Sequence, residues 1–132
     1  MNNTGSPKRK QILLVEDDPL LVNLYKEKFE NEGFGLLVAE DGEAGLELAL
    51  DKKETVDIVI LDLLLPKMSG IEILSELKKV PEYEKIPIIV LTNMSRQEEN
   101  RKALELGAKE YLIKADLTPS QLVEKVRTYF DN

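Results

Sequence analysis

Short apolar runs and helix-start signals alternate five times along this chain, and that alternation is the tightest constraint on its fold. The runs are Gln11–Val15, 36–39, Ile58–Leu61, 86–91 and Glu110–Ile113. The run at Ile58–Leu61, short and β-branched, reads as a strand buried on both faces, and the other four read as short strands. A helix signal follows each. Asp18 caps a helix with Pro19 at its first position, and Leu21, Leu24, Tyr25 and Phe29 recur at helical spacing as far as a stop at Gly33. Asp41-Gly42 opens a second helix, through Ala44, Leu48 and Ala49 to about residue 53. Ser69 with Glu72, and Ser95 with Glu98, form capping boxes for a third helix carried by Ile73, Leu74 and Leu77 and ended by Pro81, and for a fourth running to Gly107. Thr118, Pro119 and Gln121 start the last, with Val123, Val126 and Phe130 facing inward. Alternation with short loops predicts a parallel sheet covered by helices on both sides. We expect a flexible tail over residues 1–9 and a single domain over 10–132, with no second domain.

Composition narrows the function. The chain has 132 residues, 42% hydrophobic and 33% charged, as in a soluble globular domain. A net charge of −7 argues against nucleic-acid binding and against docking on anionic membranes. No apolar run is long enough to span a bilayer, and the first ten residues lack the apolar core of a secretory signal. The chain has no cysteine and no histidine. That excludes disulfides, thiol chemistry, a serine–histidine triad and a phosphohistidine on this chain. A cytoplasmic protein is expected.

Polar residues gather at the strand ends. Glu16-Asp17 follow the first strand, Asp62 the third, Thr92 the fourth and Lys114 the fifth. The C-terminal ends of parallel strands share one edge of the sheet, where ligands of open α/β sheets bind. If strands one and three are neighbours, three carboxylates converge there and need cations to stay ionised. Lys114 supplies one positive charge and an oxygen-seeking divalent ion such as Mg²⁺ supplies two, which brings the formal sum to zero. This constellation suits phosphate. Asp62 is a candidate nucleophile, Lys114 and the ion neutralise phosphoryl oxygens, and Thr92 offers them a hydroxyl. Taken singly, each residue has a plainer reading. Asp62 is a turn residue, Thr92 a β-branched strand residue, Lys114 a surface lysine, and Glu16-Asp17-Asp18 a helix cap, which we accept for Asp18.

With ILLVEDDP (12–19), DIVILDLLLPKMSG (57–70), PIIVLT (87–92) and YLIK (111–114) in this order, the chain resembles the receiver domain of bacterial two-component response regulators over about residues 10–130. The resemblance implies a doubly wound, flavodoxin-like (βα)5 fold of strand order 2-1-3-4-5 in three layers. It also implies roles. Asp62 is the phosphoacceptor. Asp17, Asp62 and the backbone carbonyl of Leu64 ligate Mg²⁺ (or Mn²⁺), and Glu16 acts through a metal-bound water. Lys114 pairs with Asp62 and then with the phosphoryl group. Thr92 and Tyr111 form the switch, although Tyr111 also reads as a half-buried strand aromatic. Gly70 matches a loop glycine, needed if the backbone there has positive φ. Such a domain takes its phosphoryl group from a sensor histidine kinase or a histidine phosphotransfer protein. It catalyses its own phosphorylation and slow dephosphorylation rather than turning over a separate substrate. It signals to a downstream protein through a face at about residues 95–130, as a monomer or a phosphorylation-dependent homodimer.

The chain departs from the family pattern at three places. Ala115 stands where proline with a cis bond is usual, so a trans bond with a rearranged loop is expected, or else a strained cis bond. Asn93 replaces a very small residue after Thr92 and either narrows access or adds a donor. Leu64 and Met94 occupy positions that often orient the hydrolytic water, and both are apolar. That predicts a long-lived phosphoryl group. Three other functions share parts of this pattern. A haloacid-dehalogenase-type phosphatase needs a second aspartate where Leu64 stands. A flavodoxin-like cofactor binder needs a hydroxyl- and glycine-rich loop where Glu16-Asp17-Asp18 stand. A pseudo-receiver would bind partners without phosphorylation. The expectation carried forward is a stand-alone receiver signalling by protein contact or phosphorelay.

Overall fold

The computed structural model describes residues 9–131, so the expected tail lies outside the described residues except for Arg9. Five strands, β1 (Gln11–Val15), β2 (Gly35–Ala39), β3 (Ile58–Leu61), β4 (Ile88–Thr92) and β5 (Glu110–Ile113), alternate with five helices. These are α1 (Pro19–Asn31), α2 (Gly42–Asp51), α3 (Gly70–Leu77), α4 (Gln97–Glu105) and α5 (Pro119–Arg127). The strands form one parallel sheet in the order β2-β1-β3-β4-β5.

The period of two along each strand divides the core. Ile12, Leu14, Ile58, Ile60, Ile89 and Leu91 pack on one face with Tyr25 and Phe29 of α1 and Leu122, Val123 and Val126 of α5. Leu13, Val15, Val59, Leu61 and Val90 pack on the other with Ala49, Ile73, Leu74, Leu77 and Ala103 of α2, α3 and α4. Two covered faces explain why β1, β3 and β4 read as unbroken apolar runs.

Several local expectations shift. The buried stripe of α1 is Val22, Tyr25 and Phe29, whereas Leu24 faces solvent at 51% exposure. β4 begins at Ile88, because Pro87 has no N–H for the ladder. α3 already ends at Leu77, and Pro81 instead opens a 3-10 turn over Pro81–Glu84. The capping boxes at Ser69 and Thr118 are both formed. The one at Ser95 is not, because α4 starts a residue later and its N-cap, Arg96, makes no side-chain cap bond.

Candidate functional site

In this strand order the chain leaves β1 toward β2 on one side and β3 lies on the other, so a crevice opens at the carboxyl ends of β1 and β3. The backbone extends the ladders into it. Glu16 N–H donates to the Ala39 carbonyl at 3.0 Å, and Asp62 N–H donates to the Val15 carbonyl at 3.1 Å. Those two bonds place Asp62 beside Glu16-Asp17. Ligand oxygens of Glu16, Asp17 and Asp62 all lie within 4.8 Å of one another.

Lys114, at the end of β5, crosses over β4 to reach them. Its Nζ lies 2.6 Å from Glu16 Oε1 and 2.6 Å from Asp62 Oδ2. The remaining oxygens of both acids are also bonded. Glu16 Oε2 accepts from Asp18 N–H at 3.0 Å, and Asp62 Oδ1 accepts from Leu64 N–H at 3.1 Å. Glu16 and Asp62 are buried, whereas Asp17 is exposed. Burial pushes the Glu16 carboxyl up, against the pull of Lys114. Burial alone would lower Lys114, but its hydrogen bonds to Asp62 and Glu16 outweigh that and raise it, so the ammonium stays charged.

Three carboxylates and one ammonium leave a formal charge of −2 in an all-oxygen donor set. That set fits a hard divalent cation. Asp17 faces solvent, and both Glu16 oxygens are already engaged.

Thr92 and Tyr111 lie on one hydrogen-bond chain. Thr92 is fully buried, and its Oγ1 accepts from Met94 N–H at 3.3 Å. Tyr111, half-buried at the edge of the sheet, donates its hydroxyl to the Met94 carbonyl at 2.5 Å. The main chain of Met94 therefore links Thr92 to Tyr111 through two successive peptide groups. The sequence gives no sign of this, since the side chain at 94 takes no part. Leu64 reaches Asp62 through its N–H, while its side chain is 54% exposed.

Gly70 does not have positive φ. A Cβ there would lie 2.3 Å from the Asp62 carbonyl oxygen and 2.7 Å from Leu63 Cα, so close approach excludes a side chain. The positive φ in this loop belongs to Lys67, at 70°. The Lys114–Ala115 bond is trans, as are all peptide bonds among the described residues, and Lys114–Asp116 forms a 3-10 turn. Asn93 accepts the Ala115 N–H on Oδ1 at 3.2 Å.

Fold and pocket together define a doubly wound α/β protein with an acidic crevice at the topological switch point. The family model for the response regulator receiver domain matches residues 12–127, and the chain belongs to that family of two-component signalling domains. It is 41% identical over 117 residues to the transcriptional regulatory protein CpxR of Klebsiella pneumoniae, covering 89% of this chain and 47% of that protein. The chain thus spans about half the length of this relative. An uncharacterised 14.6 kDa protein of Leptolyngbya boryana is 32% identical over 118 residues, covering 89% of this chain and 88% of that protein. The CheX–CheY–BeF3–Mg²⁺ complex of Borrelia burgdorferi includes a chain that superposes with a TM-score of 0.84 at 27% identity, covering 98% of this chain and 94% of that one. No helix among the described residues is long and apolar enough to cross a membrane.

Proposed function

We propose that this receiver accepts a phosphoryl group on Asp62 from the phosphohistidine of a sensor kinase or a histidine phosphotransfer protein. The observation that carries this reading is the Lys114 ammonium, 2.6 Å from Asp62 Oδ2 and flanked by two further acids. An Asp62 carboxylate oxygen attacks phosphorus as the phosphorus–nitrogen bond of the donor breaks, and the imidazole leaves with the bond's electron pair. Lys114 then exchanges part of its contact with Asp62 for a phosphoryl oxygen. The Thr92 hydroxyl turns from Met94 N–H toward a second oxygen. Asp17, Asp62 and the Leu64 carbonyl would hold Mg²⁺ or Mn²⁺ directly, and Glu16 would hold it through water. The ion supplies two positive charges that offset the acids and the developing phosphoryl charge.

Phosphorylation then shifts a two-state equilibrium, read by a protein partner or a second copy at the face formed by α4, β5 and α5. A cytoplasmic setting belongs to the same reading. The apolar side chains of Leu64 and Met94 cannot orient an attacking water, so the phosphoryl group outlasts minutes in Mg²⁺ buffer. A half-life of seconds would refute that.

Intact mass after incubation with Mg²⁺ and acetyl phosphate tests the core of the proposal. One phosphoryl adduct is expected on the parent, with none on Asp62→Asn and none after chelation. If the parent takes no adduct and beryllofluoride with Mg²⁺ does not bind, the chain is a scaffold that works without phosphate. The Borrelia relative formed its complex with that reagent and ion.

A further inference from the structure

We infer that Asn93 is a positioning residue for Lys114, acting through the backbone of Ala115. This rests on the reading of Asp62 as phosphoacceptor.

The lysine works at a distance from its own strand. Its stem passes the end of β4 to place Nζ on acids that follow β1 and β3. A four-carbon stem is flexible, so where the ammonium sits depends on where the main chain holds its root. On the N-terminal side that root is fixed, because Ile113 is the last residue of β5 and pairs with Thr92. On the C-terminal side the ladder has ended. Ala115 is exposed and its methyl group anchors nothing. The 3-10 turn there closes on one bond, Leu117 N–H to the Lys114 carbonyl at 3.2 Å. Among the described residues, Asn93 Oδ1 to Ala115 N–H is the hydrogen bond that ties residues 93–96 to residues 114–118.

The side-chain carbonyl of Asn93 thus continues the β4–β5 ladder one step past its last backbone pair. It holds the residue after the lysine against the residue after Thr92. Proline at 115 would have no N–H to offer, so this tie requires a residue such as alanine there. Two of the positions that depart from the family pattern are therefore partners in one bond. Both ends are exposed, so water can replace Asn93 as acceptor without cost to folding. Water cannot hold one loop against the other. Loss of the bond should appear in chemistry rather than stability.

A rate cycle tests this with acetyl phosphate and Mg²⁺, using the full chain. Asn93→Ala should slow Asp62 phosphorylation about threefold to tenfold, the range one modest hydrogen bond supports. Its urea midpoint should match the parent's. In a Lys114→Met background, which keeps the apolar stem, the same substitution should change the rate by less than about 1.5-fold, because the group being positioned is gone. Amide hydrogen exchange at Ala115 should speed up in Asn93→Ala. A parent-like or faster rate in Asn93→Ala overturns the inference, the faster rate marking Asn93 as an obstruction. An equal slowing in both backgrounds also overturns it, since Asn93 would then act on the phosphodonor or on Thr92. If the parent takes no phosphoryl group, the phosphoacceptor reading itself has failed and the inference falls with it.

Discussion

At the scale of single residues, the site is a balance of charge settled by who touches whom. Among the described residues, Lys114 alone pairs with Glu16 and Asp62, and it is half of each pair. Its removal should therefore separate two functions. We expect Lys114→Met to slow phosphorylation roughly 10- to 100-fold, the worth of a charge-assisted hydrogen bond of about 1.5–3 kcal/mol. The same variant should bind Mg²⁺ more tightly, because one competing cation has gone. Asp17→Asn should do the reverse for the ion. Parent protein at ten times its dissociation constant in Mg²⁺ gains about 1.4 kcal/mol, and Asp17→Asn should gain little. Thermal unfolding with and without Mg²⁺ measures both. Equal Mg²⁺ stabilisation of parent and Asp17→Asn would remove Asp17 from the ligand set. The residues at these strand ends were legible in the sequence as types in order. Their bonds were not. Nothing local says that Asp18 N–H occupies Glu16 Oε2, or that Asn93 reaches Ala115.

Elements are held by their ends, and the ends make a matched set of controls. Ser69 and Thr118 accept from the N–H groups of Glu72 and Gln121, at 3.2 and 3.1 Å. Truncating either to alanine should cost about 1 kcal/mol in a urea titration. Ser95→Ala, at a motif of the same spelling, should change stability by less than about 0.5 kcal/mol, because Ser95 caps nothing. A loss at Ser95 equal to that at Ser69 would mean that α4 starts a residue earlier in solution. The β3–α3 loop makes a second pair. Gly70→Ala drives a methyl group into the Asp62 carbonyl and should cost about 1–3 kcal/mol and displace Asp62. Lys67→Gly relieves a left-handed residue and should stabilise by about 1 kcal/mol at most. Its ion pair with Asp41 is long, at 3.6 Å, and exposed on the lysine side, so it counts for little. Circular dichroism in urea separates the two directions. A glycine is visible in sequence, but whether it answers a φ angle or a close approach depends on what lies across from it.

For the whole molecule, burial sets a pH response at the alkaline end. All four tyrosines are held above the ordinary phenol value of 10.0, burial being the first cause in each. Tyr83, which donates to the Ala49 carbonyl at 2.7 Å, is pushed up to about 12. A phenol raised in the folded state keeps its proton there after the unfolded chain has lost it. Its contribution is thus complete below pH 10.0 and is lost as pH rises through the folded value. Lys114, raised above 10.5, adds a loss in the same direction. Stability should fall between about pH 10 and 12, and tyrosinate absorbance should lag that of the urea-unfolded chain. Coincident titration curves would mean that the phenols are not held. Tyr83→Phe should flatten part of the fall.

Some of this protein was determined by the sequence alone. The kind and order of its elements, the two-sided burial of β3, and two of three capping boxes follow from spacing within a few residues. Those are interactions between near neighbours, and a chain carries them wherever it folds. What the tertiary structure decided is adjacency. β1 pairs with β3 across the whole of α1, β2 and α2, which puts Asp62 beside Glu16 and Asp17. Lys114 reaches a carboxylate 52 residues away, and Asn93 a backbone 22 residues away. Leu24 turned outward and Val22 inward because the phase of α1 is set by the sheet beneath it, not by its own composition. Such pairings depend on ladder register and on which face each strand offers, and these exist only once distant segments have met.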